Sequence, residues 1–95
     1  MKKYSVLQDD LTECYVCRTT QNIHIHHVFF GTANRKNSEK YHFVVALCQE
    51  HHTGRTGAHF NKDLDMHLKK FAQEHFEANL GTRTDFRGIF GKSYL

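Results

Sequence analysis

Three cysteines and nine histidines in one 95-residue chain are a dense supply of metal-binding donors. All three thiols and one imidazole fall into two half-sites, Cys14-x-x-Cys17 and Cys48-x-x-His51. Each half-site sets two ligands on one turn, and together they make the Cys3His group that a tetrahedral structural zinc takes. An odd number of cysteines does not close a disulfide framework. The competing reading, a redox Cys-x-x-Cys, has no use for Cys48 and His51. His52 adjoins His51, so either ring could complete the set. Other imidazoles cluster as His24, His26 and His27 on one segment and His52 and His59 on another, with His42 between them. Imidazole ligates metals when neutral and exchanges protons near neutrality, so it can serve as ligand or as base.

The elements that must position these groups follow from periodicity. Residues 23–30 alternate and are rich in β-branched and aromatic side chains, which predicts a strand, and residues 41–47 predict a second one running into Cys48. Between them, residues 31–40 are rich in Asn, Lys and Ser and read as a polar loop. Residues 48–58 form a short, glycine-punctuated segment. A long helix is expected from about residue 60 to 79, with Leu64, Leu68, Phe71, His75 and Phe76 near one face. That Phe-rich face reads as core rather than as a base-stacking platform, and His67 and His75 read as packing or solvent-facing. Asn79-Leu80-Gly81 is a plausible stop, with Gly81 free to turn left-handed. Thr82-Arg83-Thr84-Asp85 resembles a capping box, with Asp in place of Glu, opening a short helix that carries Phe86, Ile89 and Phe90. The first dozen residues read as a loosely held lead-in. The expectation is a single α+β domain over residues 1–95, in the order strand, strand, helix.

The combination His26-His27-Val28, Ala46-Leu47-Cys48-Gln49-Glu50-His51-His52 and Gly57-Ala58-His59-Phe60 resembles the HNH endonuclease family over about residues 14–75. That family carries a His-His or Asp-His pair before an aliphatic residue on its first strand. A second strand follows, ending in Leu-Cys-x-x-Cys-His or a close variant, and then a helix with further ligands. The resemblance implies a ββα-metal (His-Me finger) fold with a structural zinc, a long C-terminal helix and a helical appendage over residues 81–95. It implies hydrolysis of phosphodiester bonds, in DNA rather than RNA, leaving 5′-phosphate ends. His27 would be the general base, and His26, His52 and His59 would hold a catalytic divalent cation, Mg2+, Mn2+, Ni2+ or Zn2+. His42 stands about where the family has its middle Asn, while Asn34 and Asn37 lie earlier. His52 and His59 are more than one helical turn apart, so the insert at 53–57 must fold back. In a regular strand His24 and His26 share a face and His27 points away, which makes His24 with His26 a rival ligand pair. The stretches Arg35-x-x-Ser38-Glu39-Lys40 and Phe90-Gly91-Lys92-Ser93-Tyr94-Leu95 are similar to small HNH proteins carried by bacteriophages, which implies other phage proteins as partners.

A formal charge of +3 and a sequence pI near 8.8 suit a nucleic-acid partner without demanding one. Arg35, Lys36 and Lys40 could contact phosphates or form a solvated face. No apolar run follows the basic start and none is long enough to span a bilayer, so a reducing cytoplasm is the expected compartment, that of the bacterial host if the chain is phage-encoded. Two other function classes fit the half-sites: a zinc-held module that binds nucleic acid or protein without cutting, and an adaptor within a phage machine. The surplus set His26, His27, His52 and His59 is what separates a nuclease from these.

Overall fold

The computed structural model describes residues 4–54, 57–59 and 61–95. The chain folds as an α+β unit. Its elements run β1 (Ile23–His27), α1 (Thr32–Tyr41), β2 (Val44–Cys48), α2 (Gln49–His52), α3 (Lys62–Asn79) and α4 (Arg83–Phe90). β1 and β2 pair antiparallel, with Ile23 opposite Cys48 and His27 opposite Val44. This register brings the start of β1 to Cys48 and leaves its His-rich end toward α1. Phe29, Phe43, Phe76, Phe86 and Phe90 are all buried and form one aromatic core beneath the sheet. Among the described residues no helix is long and apolar enough to cross a membrane.

Several expectations are corrected. The polar segment at 31–40 is a helix, α1, and β1 ends at His27 rather than at Phe30. α1 carries only one buried residue, Ser38, so no apolar stripe announces it. Polar tertiary bonds hold it instead. The buried Ser38 hydroxyl accepts from the Phe29 N–H at 3.1 Å and donates to the Phe29 carbonyl at 2.8 Å. Asn34 and Asn37 donate to the carbonyls of Phe90 and Ile89, satisfying the last turn of α4. The second strand starts at Val44, because Tyr41 closes α1 and His42 turns left-handed (φ 61°) as its cap.

The lead-in is not loose. Leu7 is buried, the Ser5 hydroxyl donates to the Val44 carbonyl, and the Gln8 side chain accepts from the Ala46 N–H at 2.8 Å. The segment thus covers the free edge of β2, which an open sheet must otherwise protect.

α3 begins at Lys62 behind Asn61, whose side chain accepts from the N–H groups of Asp63 and Leu64. The expected residue 60 lies outside the described residues. Its buried face is Leu68, Ala72, Gln73 and Phe76, with Leu64 partly covered, while Phe71 is exposed and stacks on His67. Gly81 does not adopt a left-handed conformation; only Gly31 and Gly91 among the glycines have positive φ. It is small for another reason, since a Cβ there would lie 2.9 Å from the Asp85 carboxylate and 3.1 Å from the Phe76 ring. The Thr82–Asp85 capping box forms with both of its bonds.

Candidate metal centres

The first group is built at the junction of the lead-in with β2. Cys14 and Cys17 sit on a tight turn closed by Arg18 N–H to the Cys14 carbonyl (2.9 Å) and Cys14 N–H to the Thr19 carbonyl (2.8 Å). Arg18 takes the left-handed conformation that such a turn requires (φ 63°). Tyr15 N–H donates to the Ala46 carbonyl, tying the turn to β2. Cys48 ends β2 as the N-cap of α2, and His51 lies within that short helix. The four ligand atoms of Cys14, Cys17, Cys48 and His51 all lie within 4.8 Å of one another. His51 Nδ1 is 3.2 Å from Cys48 Sγ and 3.7 Å from Cys14 Sγ, and Cys17 Sγ is 3.8 Å from Cys48 Sγ. A tetrahedron with zinc–sulfur and zinc–nitrogen bond lengths has edges of about 3.5–3.8 Å, so this group could hold a metal ion such as zinc.

The electrostatics agree with that use. Burial pushes the Cys14 thiol up, but N–H groups of Cys17, Cys48 and Val16 outweigh it and bring it down to about 6. The Thr19 N–H favours a thiolate at Cys17, yet burial and the neighbouring sulfurs of Cys14 and Cys48 push that thiol up. One sulfur ionises readily and the next resists; a cation between them removes the resistance. His51, not His52, completes this group.

His52 belongs to the second group. It ends α2, and its ring meets His26 from β1 and His59 from the following segment, with ring centroids 4.8–5.3 Å apart. Ligand atoms of the three again lie within 4.8 Å of one another, and His52 Nε2 is 3.2 Å from His59 Nε2. The fold-back that the spacing requires is present at both ends: Gly57 N–H donates to the Gly54 carbonyl and Ala58 N–H to that of His51. Residues 55 and 56, in the middle of that insert, lie outside the described residues. At Gly57 a Cβ would come within 2.6 Å of the His52 carbonyl oxygen, so glycine lets the His59 segment lie against the end of α2. His26 is 1% exposed, and its buried Nε2 has no hydrogen-bond partner among the described residues. Burial first, then the neighbouring His52, His59, His27 and Lys69, hold its pKa down to about 3. His52 is lowered as well, by burial and then by His59, His24 and His27. Neutral rings and one orphaned nitrogen are what a divalent cation needs.

His27 opens onto the same cleft, of about 410 Å³, together with Thr32 and Arg35 of α1. β1 stops at His27, so strict alternation no longer separates it from His26. Its Nε2 lies 2.6 Å from the Glu39 carboxylate. His42 does not reach this cleft. It caps α1 and stacks on Tyr4 with ring centroids 3.8 Å apart, and Glu39 is the α1 residue that reaches His27. His42 therefore stands at the end of α1, away from the cleft that His26, His27, His52 and His59 line. The signal for Glu39 was present as Arg35 and Glu39 at i, i+4, and it becomes readable once residues 32–41 are taken as a helix. His24 approaches from the other side of His52, Nδ1 to Nδ1 at 3.0 Å. His67 bonds the Tyr15 hydroxyl and His75 contacts Asn79; neither joins a metal group among the described residues.

No protein-family model matches the chain, and neither a curated protein nor a solved structure matches it.

Proposed function

We propose that the chain is a metal-dependent HNH-type endonuclease that hydrolyses phosphodiester bonds, with DNA as its substrate. On this reading β1, β2 and α2 with the His59 segment form the ββα-metal finger, α1 is inserted in the crossover, and zinc at the Cys3His group is structural. One observation carries the reading: His26, whose buried Nε2 has no hydrogen-bond partner among the described residues, packs against His52 and His59 in a cleft that His27 also lines.

His26, His52 and His59 would hold a divalent cation, which when bound would supply Lewis-acid stabilisation of charge on the phosphate oxygens. His27 would take the proton of the attacking water as its oxygen bonds phosphorus and the bond to the 3′ oxygen breaks; the departing 3′ alkoxide takes a proton from solvent, leaving a 5′-phosphate and a 3′-hydroxyl. Glu39 accepts the Nε2–H of His27, which fixes the ring and leaves Nδ1 as the nitrogen that receives the proton. Arg35 faces the cleft from the first turn of α1, which carries no acidic residue and no side-chain cap, so positive potential meets the phosphate there.

The test is nicking of plasmid DNA by the purified chain with magnesium, manganese, nickel or zinc, with and without chelator. His27→Ala should keep zinc, fold and DNA affinity while cutting about 10²- to 10⁴-fold more slowly. A parent that cuts no duplex or single strand with any of these ions would instead be a zinc-held binding module.

A further inference from the structure

We propose that His24 is a positioning residue for the second metal centre, an imidazole that fixes the tautomer and orientation of the ligand His52. The inference rests on the reading of His26, His52 and His59 as a cation site.

An imidazole can face two partners, one on each nitrogen. His52 has both occupied by other rings: Nε2 lies 3.2 Å from Nε2 of His59, and Nδ1 lies 3.0 Å from Nδ1 of His24. The first contact joins two members of the group whose ligand atoms lie within 4.8 Å of one another, so Nε2 is the nitrogen that His52 turns toward that group. A neutral ring that offers its Nε2 lone pair to a cation carries its proton on Nδ1. His52 therefore donates Nδ1–H, and His24 accepts it on Nδ1, with its own proton on Nε2. His24 itself points at the wrong side of His52 to share the cation.

The strand explains how both rings reach one helix residue. His24 and His26 are two apart on β1, so their side chains leave the same face of the sheet. That face meets α2, which ends at His52. One supplies a ligand and the other supports a ligand. Metal-bound histidines commonly donate their second N–H to a carboxylate, a carbonyl or water. Here the group that faces His52 Nδ1 is the imidazole of His24, which takes that acceptor's place.

The test compares His24→Leu, which removes the acceptor, with His24→Asn, whose side-chain oxygen can stand near the position of Nδ1. Zinc content and melting are checked first, so that only proteins with an intact Cys3His group are compared. Zinc-loaded protein is then titrated with Co2+, read by calorimetry and by the cobalt absorption bands. His24→Leu should bind Co2+ about 10- to 100-fold more weakly than the parent, and His24→Asn within a few-fold of it. Nitrogen-15 NMR of the cobalt-free protein should show His52 protonated on Nδ1 in the parent and a mixture of tautomers in His24→Leu. Equal Co2+ affinity in parent and His24→Leu overturns the proposal while leaving the cation site standing. A His24→Asn protein as weak as His24→Leu also overturns it, since the ring would then be needed as such. A parent that takes up no Co2+ beyond its zinc removes the cation site itself, and the role of His24 with it.

Discussion

His26 is a ring that has given up its water for three other rings. Its ordinary pKa of 6.5 falls to about 3, chiefly through burial and then through the positive charge its neighbours would carry. The unfolded chain therefore binds a proton at this residue near pH 6.5, and the folded chain refuses it until near pH 3. Because the unfolded state holds more protons in that window, stability is fully present above pH 6.5 and is lost as pH falls toward 3. Without added divalent cation, the parent should lose more melting temperature between about pH 7.5 and 5.5 than His26→Leu does. Any metal held by the Cys3His group would be shed alike in both proteins, so the difference isolates His26. Parallel losses would mean that the ring is solvated. The Cys3His group was legible because the ligand spacing within each of its half-sites is a local property, whereas the meeting of His26 with His52 and His59 depends on the fold. The choice between His51 and His52 was not, since neighbours on a short helix differ only in the direction they face, and that is set by where α2 lies on the sheet.

α1 shows where local reading stops. It is a helix of ten residues whose sequence, Thr32 to Tyr41, has Asn, Lys and Ser where an apolar stripe would be. Short helices are marginal on propensity alone. This one persists because Ser38 satisfies both backbone groups of Phe29 and because Asn34 and Asn37 cap the end of α4. Ser38→Ala would leave the Phe29 N–H buried without a partner, at a cost of about 1–3 kcal/mol. Asn37→Ala, whose bond to Ile89 is only part-buried, should cost about 1 kcal/mol or less. Urea denaturation of the two variants checks the order, and a Ser38→Ala protein as stable as the parent would show that another group serves Phe29. The strands, α3 and the capping box of α4 were legible for the opposite reason. Ile23 to His27 and Val44 to Cys48 carry strand formers, and Leu64, Leu68, Ala72 and Phe76 recur at four-residue spacing. Phe71 misled because a large apolar side chain three positions from Leu68 was counted into the stripe. Its pairing with His67 beside Tyr15 lies on the outer surface.

A chain of 95 residues buries a modest share of its surface, and the Cys3His group, which could hold a metal ion such as zinc, joins the lead-in, β2 and α2 beside the aromatic core. The two metal groups are also joined by a single peptide bond, between His51 of one and His52 of the other. That junction makes their dependence one-sided. A zinc ion in the Cys3His group would pin α2 through Cys48 and His51, and α2 in turn carries His52 and receives the His59 segment through Ala58 N–H to the His51 carbonyl. Nothing in the second group holds Cys14 or Cys17. Structural zinc contributes on the order of 10 kcal/mol in small zinc-dependent units, which exceeds what the imidazole cluster can offer to folding. Cys48→Ser should therefore lose zinc, lose cooperative unfolding and lose the dispersed histidine ring signals of the ordered cluster in NMR. His59→Ala should keep zinc and a sharp melt while failing to take up the second cation. Metal analysis, calorimetric melting and histidine NMR on the two variants read the asymmetry directly. If His59→Ala released zinc as readily as Cys48→Ser does, the two groups would be one cooperative centre, and α2 could not be the element that zinc alone holds in place.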